Sequence, residues 1–249
     1  MATLSTDDCL TPSDTNGCYE AKPLTPPQST GSRGSYYCIL DYCHKPFTIT
    51  WRGPPEYPDL IGFPALKNVE VASIDQSISI AAIWRDSILL DYGTYASIRT
   101  TKQFRFSILK LAHPDKHSIE LIQHEFRILE VLSKLGLPIP DVDPQPILDH
   151  GTICGYRVRE LFKLDLSELR SRSHEIEDAL ARLHSAGFCH GDISPSNIMK
   201  DDGDRIFLID FSFAGRTGFA VPSCIPGWLY TARIFTVNDD MEAFDRYFR

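Results

Sequence analysis

The sequence lacks several features that would assign it to well-defined protein classes. No apolar segment of roughly 15 to 30 residues opens the chain, so we expect neither secretion nor a membrane partner but an intracellular place, cytoplasmic or nuclear. The seven cysteines include no Cys-x-x-Cys pair, which favours reduced thiols. A formal net charge of −8 argues against nucleic acid as a partner.

The first 35 residues differ in composition from the rest. They are rich in Thr, Ser, Pro and Gly and have no apolar period, so residues 1–35 are predicted to be a disordered tail. Residues 36–84 contain aromatics but are interrupted repeatedly by Gly and Pro, which predicts a poorly defined, partly ordered extension. With 43% hydrophobic residues, the 249-residue chain can still bury a sizeable core.

Three polar residues flank a predicted hairpin late in the chain. Two short apolar runs are separated by a turn signal at Asp201–Asp204, with Asn197 entering the first strand and Asp210 leaving the second. Both side chains therefore lie at one end of the hairpin, and Asp192 precedes them. Transfer of a γ-phosphoryl group needs a carboxylate near the acceptor hydroxyl, and an amide oxygen plus a second carboxylate for Mg²⁺. The pattern therefore predicts a phosphate-transfer site.

These residues resemble two motifs of the protein kinase superfamily. His190-Gly191-Asp192 with Asn197 is similar to the catalytic loop, and the triplet Asp210–Ser212 is similar to the metal loop. Gly191 stands where regulated kinases carry Arg, and Ser212 stands where the third residue is Gly, a position expected at positive φ. The His-Gly-Asp form looks more like aminoglycoside and choline phosphotransferases and small atypical protein kinases. The Asp239-Asp240-x-Glu242 start of the last helix is similar to casein-kinase-type and fungal kinase-like proteins.

The resemblance covers about residues 85 to 249 and implies a fold. We expect an α+β, bilobal, protein-kinase-like architecture. A small antiparallel sheet lobe with one helix would occupy residues 85–162, and a shortened, mainly helical lower lobe would occupy residues 163–249. The cofactors implied are ATP and Mg²⁺.

Two charged residues upstream interrupt apolar patterns. Period two places Lys110 on an apolar face of a strand predicted over Phe104–Ala112. The helical period places Glu125 on the apolar stripe of a helix predicted from about Ser118 to Leu135. Charges on apolar faces are costly unless they are paired. In the family such a pair positions the α- and β-phosphates, so Lys110 and Glu125 are predicted catalytic residues.

The nucleotide-binding segments are less clear from the sequence. Residues 87–98 contain the single glycine Gly93 where kinases have a glycine-rich loop, so Gly93 is either a phosphate contact or a plain hairpin turn. By the resemblance, backbone groups near Glu160 and Phe162 would bind adenine. Arg159 fits this hinge poorly, which indicates either a register shift or a narrowed pocket.

Two further residues are predicted to brace the site. In the family, the histidine equivalent to His190 more often supports the metal-loop backbone than transfers a proton. Asp240, near the start of the last predicted helix, would accept bonds from the catalytic-loop backbone, or cap its helix, or both.

The first functional hypothesis is an ATP- and Mg²⁺-dependent phosphotransferase that acts on Ser/Thr hydroxyls of protein. Asp192 would serve the acceptor, while Asn197 and Asp210 would bind the metal. One alternative is a small-molecule hydroxyl kinase of the aminoglycoside or choline phosphotransferase type. Another is a catalytically weak nucleotide-binding scaffold. Because the chain stops at Arg249, within that last helix, a partner that completes the lower lobe is a further open alternative.

Overall fold

The computed structural model describes residues 20–102, 105–230 and 232–249. The chain divides into two compact units. The first ends at Ile88 and also takes in Tyr92–Thr94; the second comprises Leu89–Asp91 and the chain from Tyr95 onwards. Within the described ranges, no helix has the length and apolarity that a bilayer crossing requires.

The first unit is an antiparallel sheet with one short helix. Its strands follow the order β1-β3-β4-β5, and β2 also pairs with β3. Alternate residues of β3 and β4, among them Leu40, Ile49 and Trp51, form its apolar core. The elements are β1 (Lys22–Pro23), β2 (Gln28–Ser29), β3 (Ser35–Tyr42), β4 (Lys45–Arg52), β5 (Val69–Ser73) and α1 (Ile78–Arg85).

Residues 20–35 differ from the predicted disordered tail. The Leu24 amide donates to the Ile39 carbonyl at 2.7 Å, and the Thr25 hydroxyl accepts from the Ile39 amide at 2.9 Å. Leu24 and Thr25 are both buried. Packing of this stretch against β3 uses backbone groups and only two buried apolar side chains, those of Ala21 and Leu24, so it leaves no hydrophobic period in the sequence. The first 19 residues of the predicted tail lie outside the described residues.

The second unit begins with an antiparallel sheet in the order β6-β7-β8-β10-β9. Helix α2 starts at the N-cap Asp115, whose carboxylate accepts from the Ser118 amide at 2.9 Å. It ends three residues earlier than predicted, where a 3₁₀ turn follows. The elements are β6 (Ile88–Tyr92), β7 (Ala96–Thr100), β8 (Ile108–Ala112), α2 (Lys116–Leu132), β9 (Ile147–Asp149) and β10 (Thr152–Val158).

The rest of the second unit contains three helices and short strand pairs. Apolar residues of α4 pack with Leu208, Phe211 and Phe244 in one core. Strands follow the order β11-β13-β14, and β12 pairs with β15. The elements are β11 (Phe162–Lys163), α3 (Leu166–Ser171), α4 (Ser173–Ser185), β12 (Phe188–Cys189), β13 (Ile198–Lys200), β14 (Ile206–Leu208), β15 (Gly215–Arg216) and α5 (Asn238–Phe248).

Candidate active site

The hairpin β13–β14 forms as predicted and brings its two flanking residues to one end. Ile198 pairs with Leu208, and the Ile209 amide donates to the Asn197 carbonyl at 3.0 Å. Asp210 follows directly. The Asn197 Nδ2 donates to the backbone oxygen of Asp192 at 2.8 Å and to its carboxylate at 3.0 Å. The loop of residues 190–197 is thereby held against the open end of the hairpin.

Lys110 lies between two carboxylates. Its Nζ is 2.9 Å from Glu125 Oε2 and 2.9 Å from Asp210 Oδ1. Glu125 is fully buried, and both of its carboxylate oxygens accept a further hydrogen bond. Oε1 accepts from the Phe211 amide at 2.9 Å, and Oε2 accepts from the Ser212 hydroxyl at 3.0 Å. A buried carboxylate is tolerated when it is paired and hydrogen-bonded in this way. The predicted ion pair is confirmed as a contact.

The charges around Lys110 set the protonation of Asp210. Burial alone would raise the pKa of Asp210, but the Lys110 ammonium and the hydrogen bonds from Lys110 and Ser212 outweigh it and lower the pKa to about 2. Burial likewise opposes the charge on Lys110, yet Asp210 and Glu125 together raise its pKa. At neutral pH both partners are therefore charged.

Asp192 has the opposite electrostatic environment. Its carboxyl lies at the exposed end of the site, but partial removal from water raises its pKa, and the nearby Asp210 carboxylate raises it further. Its hydrogen bond from Asn197 offsets only part of this effect. Two carboxyls in one site thus have pKa values shifted in opposite directions, which is a frequent property of functional sites.

The predicted backbone brace is confirmed. Asp240, in the first turn of α5, accepts from the His190 amide and from the Gly191 amide, each at 2.7 Å. His184 of α4 adds a contact of 2.8 Å from Nε2. The His190 ring contacts the Ile209 carbonyl at 2.9 Å, so it supports the backbone just before Asp210. Helix α5 and the β13–β14 hairpin therefore both hold the 190–197 loop in place.

Ser212 differs from the expectation for the third residue of its triplet. The residue with positive φ is Asp210, at 64°, and not Ser212. The turn therefore places its left-handed residue two positions earlier, where Asp tolerates that conformation. The Ser212 hydroxyl lies 2.8 Å from Asp210 Oδ1 and 3.0 Å from Glu125 Oε2, and its single proton is shared between these two carboxylates. Its oxygen accepts from Lys110 Nζ at 3.3 Å.

The chain matches the RIO domain over residues 89–217, just over half of its length. It belongs to the RIO domain family. Through that family it belongs to the protein kinase superfamily, and its α+β fold is of the bilobal protein-kinase-like type.

Curated proteins from archaea show the same relationship. The chain is 31% identical to the KEOPS complex subunit Bud32 of Pyrococcus abyssi over 121 residues, which are 47% of this chain and 53% of that protein. It is 30% identical to the RIO-type serine/threonine-protein kinase Rio2 of Methanocaldococcus jannaschii over 151 residues, 54% of this chain and 50% of that one. The chain thus spans about half the length of each.

The donor set of this RIO domain suits Mg²⁺. Asn197 uses its Nδ2 on Asp192, and its Oδ1 takes no part in that contact. Asp210, whose carboxylate is ionised, directly follows Ile209, whose amide donates to the Asn197 carbonyl. Amide and carboxylate oxygens are ligands that Mg²⁺ prefers, and it commonly takes few protein ligands together with substrate phosphates. Correspondingly, the part of the chain that the structure describes has no cluster of three or more His, Cys, Asp or Glu residues arranged for a metal.

The nucleotide-binding residues predicted from the sequence lie in two exposed parts of the second sheet and its connections. Gly93 lies in the exposed turn between β6 and β7. Glu160 and Phe162 follow β10 and are exposed, and Phe162 begins β11 opposite Lys200. Arg159 lies 2.6 Å from the Asp202 carboxylate, so its charge is paired with the β13–β14 turn. The adenine and phosphate contacts stay predictions.

Sequence reasoning missed one member of the RIO domain site. Tyr156 is buried and lies opposite Lys110 in the β8–β10 register, and the pKa of its hydroxyl is raised by burial and by the nearby charge of Glu125. The only signal would have been this cross-strand position, which requires knowledge of the strand pairing. The signal for Ser212 was its place in the triplet, but its polar contacts could not be deduced from it.

Proposed function

We propose that the chain is an ATP- and Mg²⁺-dependent phosphotransferase that phosphorylates Ser/Thr hydroxyls of protein. The observation that carries the proposal is the convergence of Asp192, Asn197 and Asp210 with the Lys110–Glu125 pair in a RIO domain. A relative named as a serine/threonine-protein kinase supports protein as the acceptor class. In this proposal residues 85–162 and 163–249 are the two lobes.

Each side chain has a separate task in this proposal. Lys110, held by Glu125, would contact the α- and β-phosphates, while Asn197 Oδ1 and the Asp210 carboxylate would hold Mg²⁺, which neutralises charge on the phosphates when bound. Gly93, and backbone groups near Glu160 and Phe162, would complete the nucleotide contacts. The residues act mainly by positioning and by charge stabilisation.

Asp192 would orient the acceptor hydroxyl and take its proton. Its carboxyl is exposed at the end of the site, and Asn197 fixes one of its oxygens by a 3.0 Å bond. The raised pKa makes Asp192 a stronger base than an ordinary carboxylate, which suits removal of a proton from a hydroxyl.

A protein partner belongs to the same proposal. The Pyrococcus abyssi relative is, by its name, the subunit of a complex. A partner of this chain would present the acceptor hydroxyl.

The test is phosphate transfer from labelled ATP to two acceptor panels, with Asp192→Asn as the matched variant. One panel contains Ser/Thr-rich proteins, and the other contains aminoglycosides and choline. We expect Mg²⁺-dependent label on Ser or Thr of protein, lost in Asp192→Asn. Label on a small alcohol alone would contradict the protein acceptor. MgATP binding without any transfer would favour the scaffold alternative.

A further inference from the structure

Tyr230 fills the space beside Gly191 in which a side chain at position 191 would otherwise lie. Gly191 has φ 82°, and a Cβ built on it would overlap the Tyr230 hydroxyl oxygen and come within 2.6 Å of the Phe213 carbonyl oxygen. Tyr230 is itself fully buried. An arginine at position 191 therefore cannot be accommodated while Tyr230 occupies this place.

The Tyr230 hydroxyl also links two parts of the site. It donates to the Phe213 carbonyl at 3.0 Å, directly after the Asp210–Ser212 triplet. Its oxygen lies 3.5 Å from Cys189 Sγ, directly before the 190–197 loop. Burial raises the pKa of Tyr230, so the hydroxyl remains protonated and acts as a donor. One buried hydroxyl thus contacts both chain segments that carry the carboxylates.

Hydrogen bonds join the residues that precede Tyr230 in the chain to those that follow it. The Val221 amide donates to the Arg233 carbonyl at 2.8 Å, and the Phe235 amide donates to the Phe219 carbonyl at 3.0 Å. The Arg233 guanidinium donates to the carbonyl oxygens of Ile225 and Pro222, both at 2.9 Å. These bonds close the chain around Tyr230.

Helix α2 fixes the same segment from its other side. His124 Nε2 lies 2.8 Å from the Ala214 carbonyl oxygen, and its ring stacks on Phe235 at 6.4 Å. The Phe235 ring in turn packs edge-on against Tyr230 at 5.2 Å. Burial lowers the pKa of His124, so the histidine is neutral in this contact. Tyr230 is therefore packed against a side chain that is itself held in place by helix α2.

We propose that Tyr230 is a positioning residue that holds the 190–197 loop against Phe213 and so fixes the direction of the Asp192 carboxylate. This arrangement does not require a phosphorylated residue. The inference rests on the proposed function and specifies how that site is kept in its working arrangement. Tyr230 would act through Gly191 and Phe213, not on the nucleotide.

The test is Tyr230→Phe, which removes only the hydroxyl, compared with Ile225→Val in the full chain. Ile225 is buried in the same apolar cluster and serves as the control for loosened packing. We expect Tyr230→Phe to lower kcat about tenfold or more, since small displacements of a reacting group are costly, with the Kd for MgATP unchanged. Ile225→Val should keep kcat. Equal kcat in Tyr230→Phe and Ile225→Val would overturn the proposal.

Hydrogen exchange separates failure of this inference from failure of the proposed function. If the wild-type chain transfers no phosphate to either panel, the proposed function fails. The amides of residues 190–192 still decide about Tyr230, because faster exchange in Tyr230→Phe but not in Ile225→Val would show that the hydroxyl holds the loop. Equal exchange in the two variants would refute that role.

A second pair of variants covers the case in which Tyr230→Phe is too unstable. Gly191→Ala forces a methyl group toward the hydroxyl, so Gly191→Ala and Cys189→Ala, which widens the space around Tyr230, should couple in a double-mutant cycle of loop exchange. We expect the double variant to exchange less than the two single effects predict. Additive effects would mean that Tyr230 does not transmit the strain.

Discussion

At the scale of single residues, the site consists of one ammonium shared by two carboxylates that have different tasks. Glu125 is fully buried and hydrogen-bonded on both oxygens, whereas Asp210 is partly exposed and has one oxygen on Lys110. The buried partner fixes the lysine, and the exposed partner faces the position proposed for Mg²⁺. Substitution of the two carboxylates should therefore have separable effects.

Asp210→Asn should abolish the Mg²⁺-dependent thermal stabilisation by ATP and lower the apo Tm, because ionised Asp210 contributes to the stability of the folded chain at neutral pH. Lys110 keeps Glu125 as its partner in this variant, so its charge stays paired. Thermal shift with ATP, with and without Mg²⁺, measures the effect. The control is Asp178→Asn, a carboxylate exposed on α4. ATP stabilisation equal to wild type would remove Asp210 from the metal site.

Lys110→Met and Glu125→Gln should each weaken ATP binding and reduce stability, and the double variant should lose less than the sum. Breaking a buried ion pair typically costs about 3–5 kcal/mol because the remaining charge is unpaired. Urea unfolding and ATP titration of the two single variants and the double variant give the coupling. Strict additivity would mean that the two residues do not function as a pair.

Acid should weaken the fold through Asp210. Its pKa falls from the ordinary value of 3.8 to about 2 in the folded chain, so its contribution to stability is present above pH 3.8 and is lost as pH falls toward 2. Wild type should therefore lose more stability than Asp210→Asn over this interval in acid titrations of urea unfolding. Parallel curves for the two proteins would contradict the shift.

At the scale of elements, hydrophobic period identified helix α2 better than the strands. The stripe of α2 gave its position, because one buried face leaves a strong period. Strand β8 is apolar on both faces. Leu109 and Leu111, on one face, are buried more deeply than the apolar side chains that share the other face with Lys110. Period two located the lysine but could not tell which face is more buried. Phe104, the first residue of that predicted strand, lies outside the described residues.

The sheet of the first unit was not predicted because its pairing is carried by turns and backbone. β3 and β4 are joined by Cys43 and His44, both at positive φ, a turn of the I′ kind that usually contains Asn or Gly. Without those residue types, the hairpin left no turn signal.

Within the site, the Asp192–Asn197–Asp210 arrangement was predictable because a hairpin fixes it, whereas the contact of Tyr230 with Gly191 was not, since it joins distant loops.

The contact between α5 and the 190–197 loop leads to a prediction at this scale. Asp240→Asn keeps one acceptor oxygen but loses the charge that serves the His190 and Gly191 amides. Hydrogen bonds to a charged group contribute about 1.5–3 kcal/mol each, so we expect a loss of roughly 2–3 kcal/mol in urea unfolding. Asp245→Asn, on the exposed face of α5, should change stability little. No difference between the two variants would mean that the brace is not energetically important.

At the scale of the whole molecule, the residue that precedes Asp192 is Gly191 and not an arginine that could pair with a phosphate. Gly191 occupies that position, and Tyr230 fills the adjacent space. Phosphatase-treated protein should therefore keep its phosphate-transfer rate, measured with whichever acceptor the two panels identify. Loss of transfer after phosphatase treatment, restored by rephosphorylation, would contradict a site that is active without prior phosphorylation.

The Lys110–Asp210 contact joins residues 100 positions apart in the chain, and Glu125 and Ser212 are 87 apart. Closing such long loops has an entropic cost that grows with separation, and contacts of this kind form late in folding. The site is therefore completed only after sheet and hairpin have both formed. A ligand that bridges Lys110 and Asp210 opposes every partial opening that separates β8 from β14. Amides in these two strands should then slow their hydrogen exchange together when nucleotide binds, although no backbone hydrogen bond connects them directly.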